Sequence, residues 1–375
     1  MNKVDFAQYV PTRSLADWSS PKGTLVTRHL EEVRDTLAKR RALQEPVDVE
    51  RSIESLHVRF DHTGKSRATG AFLKADGEPL HFTHEGLCSL INDATPGYWT
   101  YGTIQALIDA HREKGSKLAT MNLALLMRGD DRIRKFRTVR TQDRGQVVRS
   151  IRAVVSKGYA TFDNLEFIES ILASKDMRDL PVLSYNESSS LMRVRFALNP
   201  LDQIETNKPI PMVEAWNSEV ARRSYGFAWG MWKLICTNGM TSFQRNQEFK
   251  WRHVGDSAKF AGRIDNAIDE MKLRTSGMLQ EYNHALDIEI DDAYAWIEET
   301  LGGMLNAEQV IRAQEALKHE TTTPGGLLAS AVDAVTYAAQ NEWDLAAQAE
   351  MERAGHYLMR AGLTAAVDKQ IRVAA

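Results

Sequence analysis

The sequence predicts an α+β protein in which a mainly antiparallel central sheet packs against a helical C-terminal third. Apolar and polar residues alternate over Leu191–Leu198, and the period of two returns in the aromatic segment that ends at Trp251. After Asp256 the apolar residues recur every three or four positions, which is the period of an amphipathic helix. Separate runs of strands and helices are typical of α+β proteins.

The totals are those of an ordinary soluble globular protein. The 375 residues are 43% hydrophobic and 26% charged, so a sizeable core can form. This length has room for two or three domains, or for one elaborated domain. The shifts in composition predict a mixed N-terminal region over 1–120, a basic, sheet-rich core over 121–255 and a helical region over 256–375.

Cysteine content and hydropathy predict a protein of a reducing compartment. Cys88 and Cys236 are the two cysteines, so a disulfide framework is excluded. Residues 1–14 lack the apolar run of a signal peptide, and no window approaches the roughly 20 apolar residues of a membrane span. We therefore expect a cytoplasmic protein of a bacterial host, with no membrane partner.

The N-terminal region is expected to mix helices with short strands. Leu25, Leu30, Val33 and Leu37 form a helical stripe that ends before Pro46. Further elements are predicted in this order: strands at 56–60 and 71–73, then helices at 83–91, 98–111 and 117–127.

A strongly basic segment follows. Between Arg128 and Lys157 there are ten lysines and arginines but three acids, a local charge of +7, so the rest of the chain carries −10. Two strands, at 133–139 and 147–155, are predicted on either side of a turn, and a helix at 164–174. Eight of the ten cations are arginine, whose planar fork suits phosphate oxygens. The alternatives are a solvated face, or pairing with the acidic C-terminal helices.

The segment Met212–Trp251 holds four of the eight tryptophans, interleaved with cations. We predict strands at 191–198, 212–220 and 227–237, with Arg193 and Arg195 on one face of the first. Asn238-Gly239 is a strong hairpin signal, because both turn positions need positive φ, and 240–251 would be the returning strand. Phe227, Trp229 and Met231 share one face of the third strand and cannot share it with Trp232, so at least one set must be buried.

The C-terminal third is expected to be helical. The long amphipathic helix after Asp256 is capped by Asp256 or Ser257, and Asn306 with Gln309 forms the pattern of a capping box. The other helices are predicted at 291–301, 307–319, 327–340 and 344–359.

Two groups of residues are candidates for nucleic-acid binding, since aromatic rings stack bases and cations neutralise phosphates. The first is expected to contact phosphates and consists of Arg134, Lys135, Arg137 and Arg140. The second would extend the track with Arg222, Arg223, Lys233, Arg245 and Lys250. Whichever of Trp229 and Trp232 is exposed would stack bases. The competing interpretation is that most of these aromatic residues form the core.

No catalytic or metal-binding motif is convincing. His81 and His84 lie near Cys88, but no carboxylate stands at a spacing typical of a zinc site. Cys236 lies on an apolar face, where a cysteine packs as a small hydrophobe. We expect no metal, no cofactor and no enzymatic activity, although an enzyme with scattered metal ligands stays open.

Several short blocks resemble a family of phage- and plasmid-borne proteins that is defined by a domain of unknown function. The blocks are Arg152–Tyr159 with Phe162-Asp163-Asn164, Asn217-Ser218-Glu219-Val220, Cys236–Met240, Arg252-His253-Val254-Gly255 and Ala334–Tyr337. The resemblance spans roughly Phe82 to Met359. The chain departs from the pattern at Ala221, where a glycine is expected, and at Asp333, where an asparagine is expected. The family implies a mobile-element origin and no established activity.

The order of elements gives a weaker analogy. Strands, a hairpin and then a long helix, here 191–251 followed by 256–286, are similar in order to the core of phage single-strand annealing proteins. Those proteins bind single-stranded DNA and assemble into rings or filaments.

These observations predict a non-enzymatic nucleic-acid-binding protein of a phage or mobile element. Because the net charge is −3, binding must come from local patches. The expected partner is single-stranded DNA in replication or recombination, and the chain is also a candidate for a homo-oligomer. The alternative is a protein-interaction module that binds a host or phage partner.

Overall fold

The structure is a computed structural model, and it confirms an α+β protein with helices in its C-terminal third. The residues that it describes are 29–60, 71–73, 80–94, 100–143, 146–198, 209–233, 238–241, 248–255, 260–318, 326–339, 342 and 344–374. The strands of these parts form two sheets of six strands each, where the sequence predicted one central sheet.

The first sheet has the strand order β1-β5-β6-β4-β3-β2. Its strands are β1 (Val47–Ser52), β2 (Val58–Phe60), β3 (Ala71–Leu73), β4 (Leu80–Phe82), β5 (Ile133–Asp143) and β6 (Gln146–Ser156). All neighbours are antiparallel except β4 and β6, which are parallel. Helices α2 (His84–Ala94) and α3 (Tyr101–Met127) bury their apolar residues with those of this sheet, among them Leu90, Leu123 and Phe136.

Helix α3 is broken at Arg112, which has φ 48° and ψ −118°. Two helices are predicted for this region, and the break divides α3 accordingly. A Cβ atom on Gly115 would lie 2.1 Å from the carbonyl oxygen of Leu107, so only glycine permits the second half to approach the first this closely.

The second sheet is antiparallel throughout and runs β7-β8-β9-β10. Its strands are β7 (Val182–Glu187), β8 (Met192–Ala197), β9 (Pro209–Asn217), β10 (Tyr225–Lys233), β11 (Asn238–Thr241) and β12 (Glu248–Trp251). Strands β11 and β12 both pair with β10, β11 along its C-terminal half and β12 along its N-terminal half.

The hairpin predicted at Asn238-Gly239 is confirmed in its pairing with the preceding strand and wrong in its turn, and the predicted returning strand at 240–251 corresponds to two described strands, β11 and β12. Asn238 pairs with Lys233 and Gly239 with Trp232, so both residues belong to β11. Residues 234–237, which include Cys236, connect β10 to β11 and lie outside the described residues.

The helices of the C-terminal third follow the predicted order. The helices that complete the fold are α1 (Leu30–Gln44), α4 (Asn164–Leu172), α5 (Phe260–Ala285), α6 (Ala293–Leu301), α7 (Ala307–Ala316), α8 (Leu328–Ala339) and α9 (Leu345–Ala374). The capping box of Asn306 and Gln309 on α7 is confirmed, and Asp292 caps α6. The proposed caps of α5, Asp256 and Ser257, lie outside the described residues.

One face of the second sheet joins the largest core. Phe227, Trp229 and Met231 of β10 are buried in it, and the ring of Phe227 stacks on that of Phe260 from α5. The predicted division of β10 into two faces is therefore confirmed, and the face of Phe227 is core. Ala228, on the other face, is buried with Trp216 and Leu345.

The first sheet extends from Val47 to Ser156, and the position at residue 120 where the sequence suggested a boundary lies inside α3. Among the described helices, none is long and apolar enough to cross a membrane.

Candidate functional site

Three loops meet where the two sheets approach each other. They are residues 157–162 after β6, 218–224 between β9 and β10, and 250–255 at the end of β12, and we call them the three-loop surface. The amide of Ala160 donates to the carbonyl oxygen of His253 at 2.9 Å, and the Tyr159 hydroxyl donates to that of Ser218 at 3.4 Å. The rings of Tyr159 and His253 stack with centroids 4.9 Å apart. Loops held by such contacts on a rigid scaffold are common locations for binding sites.

The second loop is fixed by its own serine. The Ser218 hydroxyl donates to the carbonyl oxygen of Ser190 at 2.6 Å and accepts the amide of Arg222 at 3.1 Å. Between them Ala221 has φ +56°, in the left-handed region that favours glycine. The sequence was expected to have glycine at this position, and the alanine found there is strained in the turn.

A buried ionic cluster lies beneath the three-loop surface, and we call it the junction cluster. Arg137 of β5 is 1% exposed and donates to Asp163 at 2.6 Å, to the backbone oxygen of Glu219 at 2.6 Å and to Asp48 at 3.2 Å. Arg152 of β6 donates to Asp163 at 3.2 Å and also to the Glu219 carboxylate. Both arginines come from the first sheet, whereas Asp163 and Glu219 belong to the segments that lead into α4 and β10.

Amide groups and a third arginine complete the junction cluster. The backbone N–H of Asn164, at the start of α4, donates to Glu219 at 2.8 Å, which places a carboxylate at a helix N-terminus. The Asn164 side chain donates to Glu187 at 2.6 Å and accepts from Asn217 at 2.9 Å. Arg40 of α1 pairs with Glu187 and, at 3.5 Å, with Glu219. The cluster therefore joins α1, both sheets and α4.

Burial and the neighbouring charges shift the pKa values of the carboxylates in the junction cluster. Burial would raise the pKa of Glu219, but Arg152 and Arg40 outweigh it and lower that pKa to about 2. Burial raises the pKa of Asp163, against the opposite effect of Arg152. Glu219 therefore stays ionised more readily than Asp163.

His253 of the third loop lies beside the junction cluster. It is buried between Tyr159 and Tyr225, and neither ring nitrogen has a hydrogen-bond partner within the described structure. Burial, with a smaller contribution from Arg137, lowers its pKa to about 4. The imidazole is therefore neutral at pH 7.

A second buried cluster lies on the other face of the second sheet. Arg193 and Arg195 share one face of β8, as predicted, and both pair with Glu214 of β9 and Glu352 of α9. All four side chains are almost completely buried. The two positive and two negative charges neutralise each other. Because Glu352 belongs to α9 and the other three residues belong to the sheet, this cluster attaches α9 to the sheet.

The four cations of the first candidate group, which were expected to contact phosphates, all have partners within the chain. Arg134 donates to both carboxylate oxygens of Asp93 at 2.9 and 3.0 Å. Lys135 donates to the carbonyl oxygen of Tyr159 at 2.8 Å, and Arg140 donates to Glu45 at 2.6 Å. Arg137 lies in the junction cluster, so burial removes it from any ligand surface. The pairing alternative assigned these cations to the C-terminal helices, whereas the acids belong mainly to the N-terminal region.

The candidates of the aromatic segment fall into two groups. Arg222 is largely exposed although it donates to Glu85 at 2.9 Å, Arg223 lies 5.3 Å above the Trp216 ring, and Lys250 is exposed. Trp229 is 1% exposed within the core, so its ring has no free face for a base in this fold. Arg245 and the side chains of Trp232 and Lys233 lie outside the described residues.

The histidine and cysteine candidates form no site of their own. Cys88 Sγ lies 3.6 Å from His84 Nε2, and burial raises the pKa of the thiol, which disfavours the thiolate. No group of three or more histidine, cysteine, aspartate or glutamate side chains in the described ranges is placed to hold a metal ion.

The comparisons with known proteins found no family model, no curated protein and no solved structure that matches the chain.

Apart from Arg137, which was a candidate for phosphate contact, the junction cluster consists of residues that the sequence did not assign to a site. Arg152, Asp163, Asn164, Asn217 and Glu219 had been noted as members of the motif blocks. Their position in those blocks was the signal that could have identified them. The structure shows what the blocks share, because three of them supply the loops and the charges beneath.

Proposed function

We propose that the protein binds single-stranded nucleic acid without catalysing a reaction, and that the three-loop surface makes the contact. Its segments 157–162, 218–224 and 250–255 contain five cations and one acid. The cations are Lys157, Arg222, Arg223, Lys250 and Arg252. The acid is Glu219, whose carboxylate faces Arg152 in the junction cluster and not the solvent. This local excess of positive charge is the observation that carries the proposal.

Exposure supports the same surface. Lys157, Arg222, Lys250 and Arg252 are exposed, although Glu50 and Glu85 lie close enough to pair with Lys157 and Arg222. The pair of Lys157 with Glu50 is exposed and contributes about 1 kcal/mol or less, so a phosphate can replace that carboxylate at small cost, whereas Glu85 is partly buried.

The rings of this surface indicate which kind of binding to expect. Tyr159 and Tyr225 are buried, and Trp251 packs against the core. Because the described loops offer no fully exposed ring, binding would depend mainly on phosphate contacts. We therefore expect strong dependence on salt and little preference for sequence.

The motif blocks support a mobile-element role. Blocks that resemble the phage and plasmid family supply all three loops, and the family implies a phage or mobile-element origin. We accordingly place the protein in replication or recombination of such an element, in the cytoplasm of its bacterial host.

A titration of a fluorescent oligonucleotide tests the proposal. The full chain is added to a labelled oligothymidine of about 30 nucleotides at low salt, and anisotropy is followed. Binding is expected, with log Kd rising by roughly 0.7 per phosphate contact for each tenfold increase in salt. No change in anisotropy at low salt would overturn it.

A protein-interaction module is the second candidate, and one observation favours it. Leu118, Met121 and Leu125 of α3 form an exposed apolar stripe, a feature that marks protein contacts more often than nucleic-acid contacts. Capture from nuclease-treated host lysate separates the candidates. A partner retained after treatment supports the interaction module, and loss on treatment supports nucleic acid.

A further inference from the structure

The second half of α3 carries an apolar stripe with cations around it. Leu118, Met121 and Leu125 are 47%, 61% and 62% exposed, at spacings of three and four residues. They lie on the side of the helix opposite the buried Ala119 and Leu123. Lys114, Lys117 and Arg128 flank them, and residues 111–128 hold four cations and one acid, a charge of +3. We call this surface the α3 patch.

A surface of opposite charge lies on α6 and α7. Tyr294 and Ile311 are 43% and 53% exposed, and the Gln314 side chain of α7 donates to the carbonyl oxygen of Tyr294 at 3.0 Å, which brings the two helices together there. Exposed carboxylates surround them: Glu298, Glu308 and Glu315. Residues 287–315 hold eight acids and one cation, a charge of −7. We call this surface the α6–α7 patch.

Two α3 patches fit each other poorly. Consider two α3 helices packed antiparallel about a two-fold axis that passes between residues 121 and 122. In this pair Leu118 of one copy would contact Leu125 of the other. The same arrangement brings Lys114 of one copy beside Arg128 of the other, and like charges repel. The stripe therefore requires a partner that is apolar at its centre and acidic at its rim.

We infer that the α3 patch of one copy packs against the α6–α7 patch of a second copy of this chain. Apolar side chains meet at the centre, Met121 and Leu125 against Tyr294 and Ile311. Lysines and arginines meet glutamates at the rim. Both halves of this contact are present on one chain, so no other partner chemistry is needed.

Such a contact joins two different surfaces, so each added copy leaves one patch of each kind open. Contacts of this type produce rings when the rotation closes and filaments when it does not. The apolar part of each patch is on the order of a few hundred Å², which is typical of weak association. Exposed charge pairs steer such association and are screened by salt. This assembly is independent of the three-loop surface.

Sedimentation velocity of the full chain tests the assembly, with one variant for each patch. Leu125→Glu places a negative charge in the α3 patch, and Ile311→Lys places a positive charge in the α6–α7 patch. Wild type is expected to self-associate at low salt and to dissociate as salt rises. Each variant alone should be monomeric, because the contact needs one patch of each kind and one of the two is altered in every copy.

Mixing the two variants gives the sharpest result. Leu125→Glu retains a normal α6–α7 patch and Ile311→Lys retains a normal α3 patch, so an equimolar mixture should restore association and form at least a dimer. Val147→Glu, at a residue 56% exposed on β6, is the matched control and should associate like wild type. Far-UV circular dichroism confirms that each variant is folded.

Two outcomes would overturn the inference. One is a wild-type chain that stays monomeric at low salt up to roughly 100 µM. The other is a mixture of the folded variants in which no dimer forms although wild type associates. The charge reversals Lys117→Glu and Glu308→Lys give a second readout, since each should weaken association and their mixture should restore a dimer.

Discussion

Arg152 of the first sheet forms a buried ion pair with Glu219, which lies in the loop between β9 and β10 of the second sheet. The same carboxylate accepts the first N–H of α4 from Asn164. A single acid thus connects two sheets and a helix beneath the three-loop surface. The loops that we propose as the binding surface are held in place by charges that are themselves unavailable to a ligand.

Removal of the Glu219 carboxylate should destabilise the protein strongly. Glu219→Ala removes one of the two carboxylates that Arg152 and Arg40 each contact and leaves Asp163 and Glu187 as their remaining acids. Loss of one partner of a buried pair costs up to about 3–5 kcal/mol. Urea denaturation measures the change in the free energy of unfolding. Glu166→Ala is the matched control, because its pair with Arg41 is partly exposed and contributes less than about 1 kcal/mol. Equal losses in the two variants would contradict a structural role for the cluster.

Relief of backbone strain at Ala221 should stabilise the protein. Ala221→Gly removes the Cβ atom that disfavours φ +56°, a gain of roughly 1–2 kcal/mol, which the greater freedom of the unfolded glycine reduces by about half. Thermal unfolding should show a higher Tm. The same change at Ala124, which is exposed and helical in α3, should lower stability by about 1 kcal/mol. A decrease in Tm for Ala221→Gly would show that the turn is not strained.

Acid should destabilise the protein in part through His253. The folded pKa is lowered to about 4, from an unfolded value near 6.5, so the unfolded chain binds the proton first. The contribution of neutral His253 is complete above pH 6.5 and is lost as pH falls towards 4. His253→Phe keeps the ring stack. Between pH 7 and 4 its free energy of unfolding should fall by about 2–3 kcal/mol less than that of wild type.

Urea denaturation of wild type and His253→Phe at several pH values measures that difference. His57, exposed before β2, supplies the control His57→Phe, which should follow the wild-type pH dependence. Identical profiles for wild type and His253→Phe would show that His253 is solvated. A further loss at pH values below about 4.5 is expected from Glu219, whose lowered pKa makes protonation unfavourable in the folded state.

Hydrophobic periodicity was sufficient to predict the fold class, the strands at 191–198, 212–220 and 227–237, and the C-terminal helices. It failed where charged residues are buried. In any short stretch of sequence Arg137 has the pattern of a solvent-exposed cation. The acids that pair with it, Asp48 and Asp163, lie 89 and 26 residues away in sequence. Arg195 pairs with Glu352 across 157 residues. Charges that neutralise each other over such separations leave no local pattern.

Strand edges and turns were also hard to predict. Strand β1, Val47–Ser52, has three charged residues among six and no buried residue, and its alternation of apolar and polar residues covers four positions. Asn238-Gly239 has the composition of a two-residue turn, but pairing with β10 extends to Asn238, so the turn lies earlier in the chain. In both cases contacts with distant strands outweigh the local preference.

Arg140 should contribute little to nucleic-acid affinity. It pairs with Glu45 at the surface of the first sheet, away from the three loops. Arg140→Ala should therefore bind a labelled oligothymidine like wild type, within about twofold. A tenfold weaker Kd, about 1.4 kcal/mol, would assign the contact to the basic segment 128–157 instead.

The salt dependence of oligonucleotide binding tests the central claim most directly. The double variant Lys250→Ser, Arg252→Ser is compared with wild type and with the control Lys175→Ser, Arg178→Ser, which removes two exposed cations after α4. The slope of log Kd against log salt should fall by about 1.4 in the first variant, for two lost phosphate contacts, and stay unchanged in the control. An unchanged slope in the first variant, with binding retained, would contradict the three-loop surface as the binding site.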